Sequence, residues 1–417
     1  MIEKLLPFFQ ALENIEFGSI DIELPDGSKH FFKAKIINSE AKPEAKPEAK
    51  LINLKNKLVK INAVQNFDDF FNPQSHLKIK DLSMISQSLI KGDIGFGESY
   101  MEEMWESKDL PKLLLFFALN KQSLENFFHA NKLKTFFLII ENYFRKNTRK
   151  GSKKNISTHY DLGNDFYKLW LDSTMTYSSA IFNDYQESLE QAQKNKYNRI
   201  LSKIEKPSEI LEIGCGWGGF ASLAVQKEHD ITCLTLSQEQ AKFIDNFIEK
   251  DRIKVKIQDY RDEKNLFDYI VSIEMFEAVG KEYWNNYFQT IHRCLKKDGK
   301  AIIQTIVIDE EVYDDYQKRV DFIQKHVFPG GFLPSKTIFK KFANDNNLNV
   351  IEEFNFGLDY YKTIENWLNN FNDKLLQISN GGFSKEFIKK WQFYLAYCMA
   401  GFASARISVM QFELCKN

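Results

Sequence analysis

The sequence is short of cysteine, of net charge and of long hydrophobic runs, and each shortage excludes a class of protein. Its five cysteines are odd in number and show no Cys-x-x-Cys spacing, which argues against a disulfide framework or a metal site and for reduced thiols in a cytoplasmic protein. With 56 Lys+Arg against 57 Asp+Glu, no overall positive field indicates a nucleic-acid partner. The longest apolar run, residues 113–119, is far below the roughly 20 residues of a membrane-spanning helix. No signal-peptide pattern opens the chain, so we expect a soluble protein.

Glycine is concentrated in one stretch, residues 208–221, which contains a short apolar strand, a glycine turn and the start of a helix. Gly214, Gly216 and Gly219 match the dinucleotide-binding pattern Gly-x-Gly-x-x-Gly. The stretch also places Glu212 two residues before the first glycine, as in the adenosylmethionine loop of class I methyltransferases. The next predicted strand, 230–236, lacks the terminal acid that binds ribose in dinucleotide folds. These features favour an adenosylmethionine loop over a dinucleotide loop, and both over a purely structural turn.

Predicted strands alternate with helices from residue 155 onward. The strands are expected near 209–213, 230–236, 253–258, 267–273, 299–308, 348–355 and 406–414. This alternation predicts an α/β doubly wound sheet, in which ligands bind at the carboxyl ends of the strands. Segments 311–345 and 357–404 are predicted helical insertions with aromatic faces. They either roof an apolar channel or simply pack on the sheet.

Residues 1–125 are predicted to form a smaller domain that changes from mixed α/β to helical. A helix and a hairpin are expected first, then strand-like sequence at 58–64 and helices from about 65 to 145, interrupted by a turn at 95–100. A Pro-Glu-Ala-Lys repeat at 40–50 is expected to be a mobile insert. Residues 126–154 are expected to form a helix and a basic linker before the domain at 155–417. Six of the ten residues at 145–154 are basic, which fits either a solvated linker or an electrostatic contact with anionic membrane.

Ordered motifs on both sides of the glycine loop resemble the cyclopropane fatty acid synthase family, which includes the mycolic acid cyclopropane synthases. The motifs lie at 159–167, 175–180, 211–219, 235–240, 259–262, 275–280, 328–334 and 394–398. The resemblance implies a class I methyltransferase with a Rossmann-like sheet and helical lids. It also implies methyl transfer from adenosylmethionine to the cis double bond of an unsaturated phospholipid acyl chain. Loss of a proton from the new methyl closes a cyclopropane ring, whereas loss of a neighbouring chain proton gives a methyl- or methylene-branched product.

The resemblance also assigns site residues. For adenosylmethionine it implies Tyr177, Ser178, Leu211, Glu212, Gly214, Cys215, Gly216, Trp217, Gly218, Thr235, Leu236, Ser237, Gln240, Tyr260 and Arg261. For the bicarbonate that serves the family as base, it implies Glu277, Tyr360 and the backbone at Ile306. Ser179 and Gln304 stand where the family has Cys and His, and both can still hydrogen-bond an anion. Bicarbonate binding and the identity of the product therefore stay open.

Three functions remain as alternatives at this point. The first is a lipid alkene methyltransferase, peripherally associated with the inner membrane surface and, by resemblance, a homodimer. The second is a methyltransferase for a soluble small molecule. The third is a lipid-binding protein with a decayed site, suggested by the changes at Ser179 and Gln304. Cys398 matches a residue sometimes assigned to the family's active site, but its apolar helical surroundings favour a structural thiol.

Overall fold

The computed structural model describes residues 5–34, residues 51–58 apart from 53 and 56, and residues 67–124, 162–204, 207–247 and 250–416. The predicted mobile insert at 40–50 and the basic linker at 126–154 lie outside the described residues. So do nearly all of the predicted strand at 58–64 and the first three residues of the motif at 159–167. The proposed domain boundaries therefore stay predictions.

The N-terminal region contains a four-stranded sheet with the strand order β2-β1-β3-β4. Its strands are β1 (Ser19–Glu23), β2 (Lys29–Lys33), β3 (Gln74–Ile79) and β4 (Trp105–Glu106). Its helices are α1 (Leu6–Leu12), α2 (Ser83–Lys91), α3 (Asp93–Met101) and α4 (Leu110–Leu119). The predicted helix and hairpin are confirmed, because α1 precedes the antiparallel pair β1 and β2.

Two predictions in this region are wrong. The stretch that was expected to be helical includes β3, whose residues alternate between buried and exposed with the period of two that a strand requires. The turn predicted at 95–100 is part of α3. A Cβ on Gly95 would lie 2.1 Å from the Gln87 carbonyl oxygen, and one on Gly97 would lie 2.5 Å from the Phe322 ring. Here glycine serves close packing inside a helix, not a turn.

The second sheet has seven strands in the order β10-β11-β9-β8-β5-β6-β7. The strands are β5 (Glu209–Ile213), β6 (Asp230–Thr235), β7 (Ile253–Ile257), β8 (Phe267–Ile273), β9 (Leu295–Ile308), β10 (Leu348–Asn355) and β11 (Ile407–Lys416). Each falls where the sequence predicts a strand. All neighbours pair in parallel except β11, which is antiparallel to both β9 and β10. The strand order reverses between β5 and β8, which opens a crevice at their carboxyl ends.

Helices cover both faces of this sheet and confirm the predicted doubly wound fold. They are α5 (Asn164–Lys168), α6 (Leu189–Leu201), α7 (Gly219–Gln226), α8 (Gln238–Phe247), α9 (Trp284–Cys294), α10 (Glu310–Tyr316), α11 (Phe322–His326), α12 (Lys336–Asp345), α13 (Gly357–Asp373), α14 (Leu375–Asn380) and α15 (Lys385–Ala403). The last six are the predicted helical insertions. Within the described ranges, every helix is too short or too polar to cross a bilayer.

The N-terminal helices pack directly on the insertions. The Phe393 ring of α15 contacts Phe96 and Trp105, and one continuous hydrophobic core contains all three. Beside them, the Glu98 carboxylate of α3 accepts a hydrogen bond from Lys325 at 2.8 Å and lies 3.1 Å from Nε2 of His326, both on α11. Its second oxygen accepts from Lys91. Hydrogen bonds from His326, Lys325 and Lys91 hold the pKa of Glu98 far below its usual range against the opposing effect of burial.

We expect Glu98→Gln to lower the free energy of unfolding by about 2 kcal/mol, the range of hydrogen bonds to charged groups. Because the carboxyl pKa is lowered on folding, this contribution is complete above about pH 4.5 and is lost as the pH falls toward the folded value. Urea unfolding at pH 7 and pH 3 measures both effects. The control is Glu102→Gln, an exposed acid just beyond the same helix, which should change stability by less than about 0.5 kcal/mol. Equal losses for the two variants would contradict the assignment.

Candidate active site

The glycine turn forms the floor of a cavity at the carboxyl ends of β5, β6 and β8, here called the donor cavity. Gly214, Gly216 and Gly218 all have positive φ angles, of 81°, 52° and 82°. A Cβ on Gly214 would also lie 2.8 Å from Cγ of Met275. Only glycine gives this conformation at little cost and leaves bare backbone facing a ligand.

Twelve of the fifteen predicted donor residues line this cavity. They are Tyr177, Ser178, Glu212, Gly214, Cys215, Gly216, Trp217, Thr235, Leu236, Gln240, Tyr260 and Arg261. The other three lie behind its wall. Leu211 is fully buried in β5, Gly218 ends the loop as the N-cap of α7, and Ser237 caps α8 by accepting a hydrogen bond from the Gln240 amide at 3.3 Å.

The polar groups of the donor cavity are held in fixed positions. Thr235 donates a hydrogen bond to the Gln240 side chain at 2.7 Å, and Arg261 forms an ion pair with Asp259 at 2.5 Å. Glu212 is buried, and this desolvation raises its pKa to about 8. A buried acid beside bare backbone and apolar walls suits a ligand with a cationic centre, as in the adenosylmethionine expected here.

A second cavity adjoins the first and is enclosed mainly by the helical insertions; we call it the acceptor cavity. Tyr177, Glu274 and Ala278 line both cavities, so they form the boundary between them. Most of the remaining wall is apolar or aromatic. It is formed by Ile306, Ile323, Phe328, Pro329, Phe332, Leu333, Ile364, Trp367, Phe402 and Ile407 among others. The insertions therefore do line an apolar channel, the first of the two alternatives left open by the sequence.

Glu274 is the centre of the hydrogen-bond network at that boundary. Its Oε1 accepts from the Ser179 amide at 2.8 Å and from the Gln304 side chain at 2.7 Å, and its Oε2 accepts from the Tyr360 hydroxyl at 2.6 Å. Gln304 is oriented in turn by Gln411, which donates to its carbonyl oxygen at 3.0 Å. Ser179, Gln304 and Tyr360, which the resemblance assigns to bicarbonate, thus already bind a carboxylate of the chain itself.

The conformation of Glu274 marks it as a constrained residue. Its φ is 51°, in the left-handed region that non-glycine residues seldom adopt. Such strain persists only where the surrounding structure maintains it, and it is concentrated at functional sites. The sequence predicts a ligand-binding position at the end of β8 but indicates no role for Glu274. The available signal was an acid at a strand end, three residues before Glu277.

Glu277 lies beside this network and lines the acceptor cavity. Its Oε1 accepts hydrogen bonds from the Ile306 amide and from the Thr305 hydroxyl, the latter at 3.0 Å. Its Oε2 is buried without a hydrogen-bond partner among the described residues. Burial and the neighbouring Glu274 raise the pKa of Glu277 to about 8. Burial also raises the pKa of Glu274, but Glu274 accepts three hydrogen bonds and Glu277 two, so we place the shared negative charge on Glu274 and the proton on Glu277.

Aromatic rings surround the boundary between the cavities. The Tyr177 and Trp367 ring centroids are 5.2 Å apart, and Tyr360 packs on Phe402 at 4.5 Å. The Tyr177 and Tyr394 hydroxyls are hydrogen-bonded at 2.9 Å. Aromatic faces stabilise a cation when water is excluded.

Lys196 is a second residue that the sequence analysis missed. It is fully buried, donates to Ser178 at 2.6 Å and to Gln193 at 2.7 Å, and experiences the field of Glu274. Burial lowers its pKa to about 7. Lys196 thereby links Ser178, in the wall of the donor cavity, to the carboxylate of Glu274 at the boundary.

Cys398 lines the acceptor cavity, but burial raises the pKa of its thiol well above the ordinary value. A thiol that stays protonated is neither a nucleophile nor a base at neutral pH. We expect Cys398→Ser to keep at least about half of the wild-type turnover, and thiol-alkylating reagents to label Cys398 more slowly than a free thiol. Steady-state kinetics and timed labelling would check this. A turnover loss above about 100-fold without a change in stability would contradict it.

The chain is similar to known methyltransferases and cyclopropane synthases. Residues 147–412 match the family model described as mycolic acid cyclopropane synthetase. The chain is 32% identical to tuberculostearic acid methyltransferase UfaA1 of Mycobacterium tuberculosis, over 78% of this chain and 79% of that protein. It is also 32% identical to cyclopropane-fatty-acyl-phospholipid synthase of Escherichia coli, over 80% of this chain and 86% of that one. The solved structure of mycolic acid cyclopropane synthase CmaA1 with SAH and CTAB is 31% identical, with a TM-score of 0.60, and covers 63% of this chain and 98% of its own.

Proposed function

The chain belongs to the mycolic acid cyclopropane synthetase family, and on that basis we propose that it transfers the methyl group of adenosylmethionine to the cis double bond of a phospholipid acyl chain and closes a cyclopropane ring. The observation that carries the proposal is the junction at Tyr177, Glu274 and Ala278, where a glycine-floored cavity meets an apolar one. An alkene is a weak nucleophile, and a sulfonium supplies a methyl electrophilic enough to react with it.

The residues of the donor cavity bind and orient the donor. The backbone at Gly214 and Gly216 allows close approach, and Glu212 provides a negative charge for its cationic part. Burial of this carboxyl keeps water from competing for that charge. Thr235 and Gln240, already paired with each other, present fixed polar groups at the end of β6.

Glu274 is proposed as the base that removes the proton. Addition of a methyl group to one alkene carbon leaves a positive charge on the other carbon, and ring closure releases one proton from the new methyl. Glu274 faces both cavities, carries the negative charge of the site and needs no external anion. Tyr360 and the aromatic rings around it favour the cationic chain. Glu274 thus takes the place of the bicarbonate that the family resemblance implied.

A second product deserves testing because the base differs from the one expected. If Glu274 removes a proton from a neighbouring chain carbon, the product is a methylene-branched acyl chain. Converting that product to a saturated methyl branch needs two further electrons and two protons from a separate reductase. UfaA1, one of the relatives, is named a tuberculostearic acid methyltransferase.

Lipid mass spectrometry tests the function. Expression in a host rich in monounsaturated phospholipid should produce acyl chains heavier by one methylene unit, and Glu274→Gln should reduce them. Catalytic hydrogenation separates the products, because a methylene branch takes up hydrogen under conditions that leave a cyclopropane intact. Absence of any heavier chain with donor present would refute the lipid function. Activity on a soluble acceptor that does not depend on vesicles would favour the small-molecule alternative.

An acyl substrate of this kind resides in a bilayer, so we also propose peripheral contact with the membrane surface. The aromatic and apolar wall of the acceptor cavity supports this, since a chain entering it must leave the bilayer. Co-sedimentation with vesicles of dioleoylphosphatidylglycerol measures the contact. Protein that stays in the supernatant would contradict it.

A further inference from the structure

A third cavity continues the acceptor cavity toward the N-terminal region; we call it the interface cavity. Six residues line both: Tyr316, Asp321, Ile323, Leu333, Cys398 and Ile407. Its other wall comes from α3 and α4 and the segment after α4, with Phe96, Leu114, Phe117, Ala118 and Lys121. The interface cavity therefore adjoins the acceptor cavity, and both regions of the chain contribute to its wall.

Three cationic side chains line the interface cavity without a side-chain partner in the part of the chain that the structure describes. Among the described residues, no hydrogen bond or ion pair reaches the side chains of Lys121, Arg319 or Arg406. All three are half-buried. Burial, followed by the charges of Arg406 and Arg319, lowers the pKa of Lys121 to about 8, so the three lie close enough to repel one another. Unpaired, partly desolvated cations are costly to keep, and a bound anion would offset that cost.

The acids of the same cavity do not neutralise these cations by direct contact. Asp93 accepts a hydrogen bond from the Tyr397 hydroxyl at 2.8 Å, and Asp321 caps α11 by accepting from the Gln324 amide at 2.8 Å. Asp315 lies 3.8 Å from Lys318. Each acid has a partner of its own, whereas the cations face the cavity.

We propose that the interface cavity binds the phosphate of the lipid whose acyl chain occupies the acceptor cavity, with Lys121, Arg319 and Arg406 as its ligands. The inference rests on the proposed lipid function and names the group that the enzyme recognises. Arginine is well suited to a phosphate because its guanidinium forms two parallel hydrogen bonds with the oxygens. The apolar walls accommodate the glycerol end of the chains, and the N-terminal region becomes part of the substrate site.

Binding of short-chain lipids to the full-length protein, without adenosylmethionine, tests the inference separately from catalysis. By isothermal titration calorimetry, Arg319→Gln and Arg406→Gln should each weaken binding of dihexanoylphosphatidylglycerol about tenfold and leave uncharged dihexanoylglycerol unchanged. Arg406→Lys, which keeps the charge but loses the paired hydrogen bonds, should recover only part of the affinity. Lys374→Gln, at an exposed lysine outside the cavity, should behave as wild type. Equal losses for both lipids, or no wild-type preference for the phospholipid, would overturn the proposal.

The unmodified protein provides a second arm that does not depend on folding of the variants. Glycerophosphate should compete with the short-chain phospholipid, and inorganic phosphate should compete more weakly. Tight binding of inorganic phosphate that the phospholipid cannot displace would mean a free-anion site and would overturn the lipid assignment. Charge-dependent lipid binding without turnover would refute the proposed methyl transfer and retain the phosphate site. Lipid turnover that is unchanged in both Arg319→Gln and Arg406→Gln would retain the proposed methyl transfer and refute the phosphate site.

Discussion

Glu274→Gln is expected to reduce the rate of lipid methylation by about a thousandfold while adenosylmethionine affinity stays within about threefold. The amide has nearly the same shape but cannot take a proton, and general-base catalysis contributes about 10²–10⁴ in rate. Ser179 and Gln304 would still donate to the amide oxygen, and the Tyr360 hydroxyl can rotate to accept from the amide nitrogen, so the side chain should stay in place. Single-turnover kinetics with dioleoyl phospholipid, together with calorimetric binding of the donor, would separate the two effects.

Glu274→Gly provides the matched control. Since φ at this position is 51°, glycine relieves backbone strain there, so the variant should fold. It removes the carboxylate and leaves Ser179, Gln304 and Tyr360 without an acceptor. Bicarbonate or formate added to this variant should restore part of the activity, whereas it should not restore Glu274→Gln, whose side chain still fills the space. Full activity of either variant without added anion would exclude Glu274 as the base.

Glu212→Gln is expected to weaken adenosylmethionine binding about 100-fold at pH 9 and less than about tenfold at pH 6. The interaction of a carboxylate with a cation at about 4 Å is worth roughly 4 kcal/mol at an effective dielectric constant of 20. The cost of removing both charges from water offsets part of this energy. The pKa of Glu212 in the free protein is raised to about 8 by burial. A cationic ligand favours the charged form, so binding at pH 7 should release protons and affinity should rise with pH up to about 8.

Calorimetry in buffers of different ionisation enthalpy counts the protons released by wild type and variant. Glu209→Gln is the control, because Glu209 is an exposed acid on the same strand that pairs with Lys296 at 2.7 Å. It should leave both affinity and proton release unchanged. A wild-type affinity that does not vary between pH 6 and pH 9 would argue against a charged Glu212 in the donor complex.

The larger sheet was predictable because each of its strands is a short apolar run bounded by turn residues. The strand expected at 299–308 begins at Leu295 in the structure, because Leu295 pairs with Phe267 ahead of an irregularity in the β8–β9 pairing. In the N-terminal region β3 is hard to predict because only Leu77 and Ile79 mark its buried face as apolar, and the third buried position holds the polar Ser75. The glycines of α3 were read as a turn because the sequence does not reveal which neighbours pack against them.

The donor cavity was predictable because the family resemblance assigns its residues, and those at 214–217, 235–236 and 260–261 also lie at or just after the ends of predicted strands. Tyr177 and Ser178 rest on the resemblance alone. The base could not be predicted in the same way. Glu274 acquires its role from contacts with Ser179, Gln304 and Tyr360, which come from three distant parts of the chain. From the sequence alone, Ser179 and Gln304 resemble lost ligands of bicarbonate, because the sequence does not show that both donate hydrogen bonds to the Glu274 carboxylate.

A base that is part of the chain changes how the enzyme depends on its surroundings. Glu274 stands in the site at a fixed effective concentration, so turnover should not vary with dissolved carbon dioxide or respond to its removal by degassing. Because Glu274 is part of the chain and cannot exchange with the medium, the proton that it accepts from the substrate must leave the carboxyl group before the next cycle. Aeration and growth phase, which alter inorganic carbon, should therefore leave this reaction unaffected.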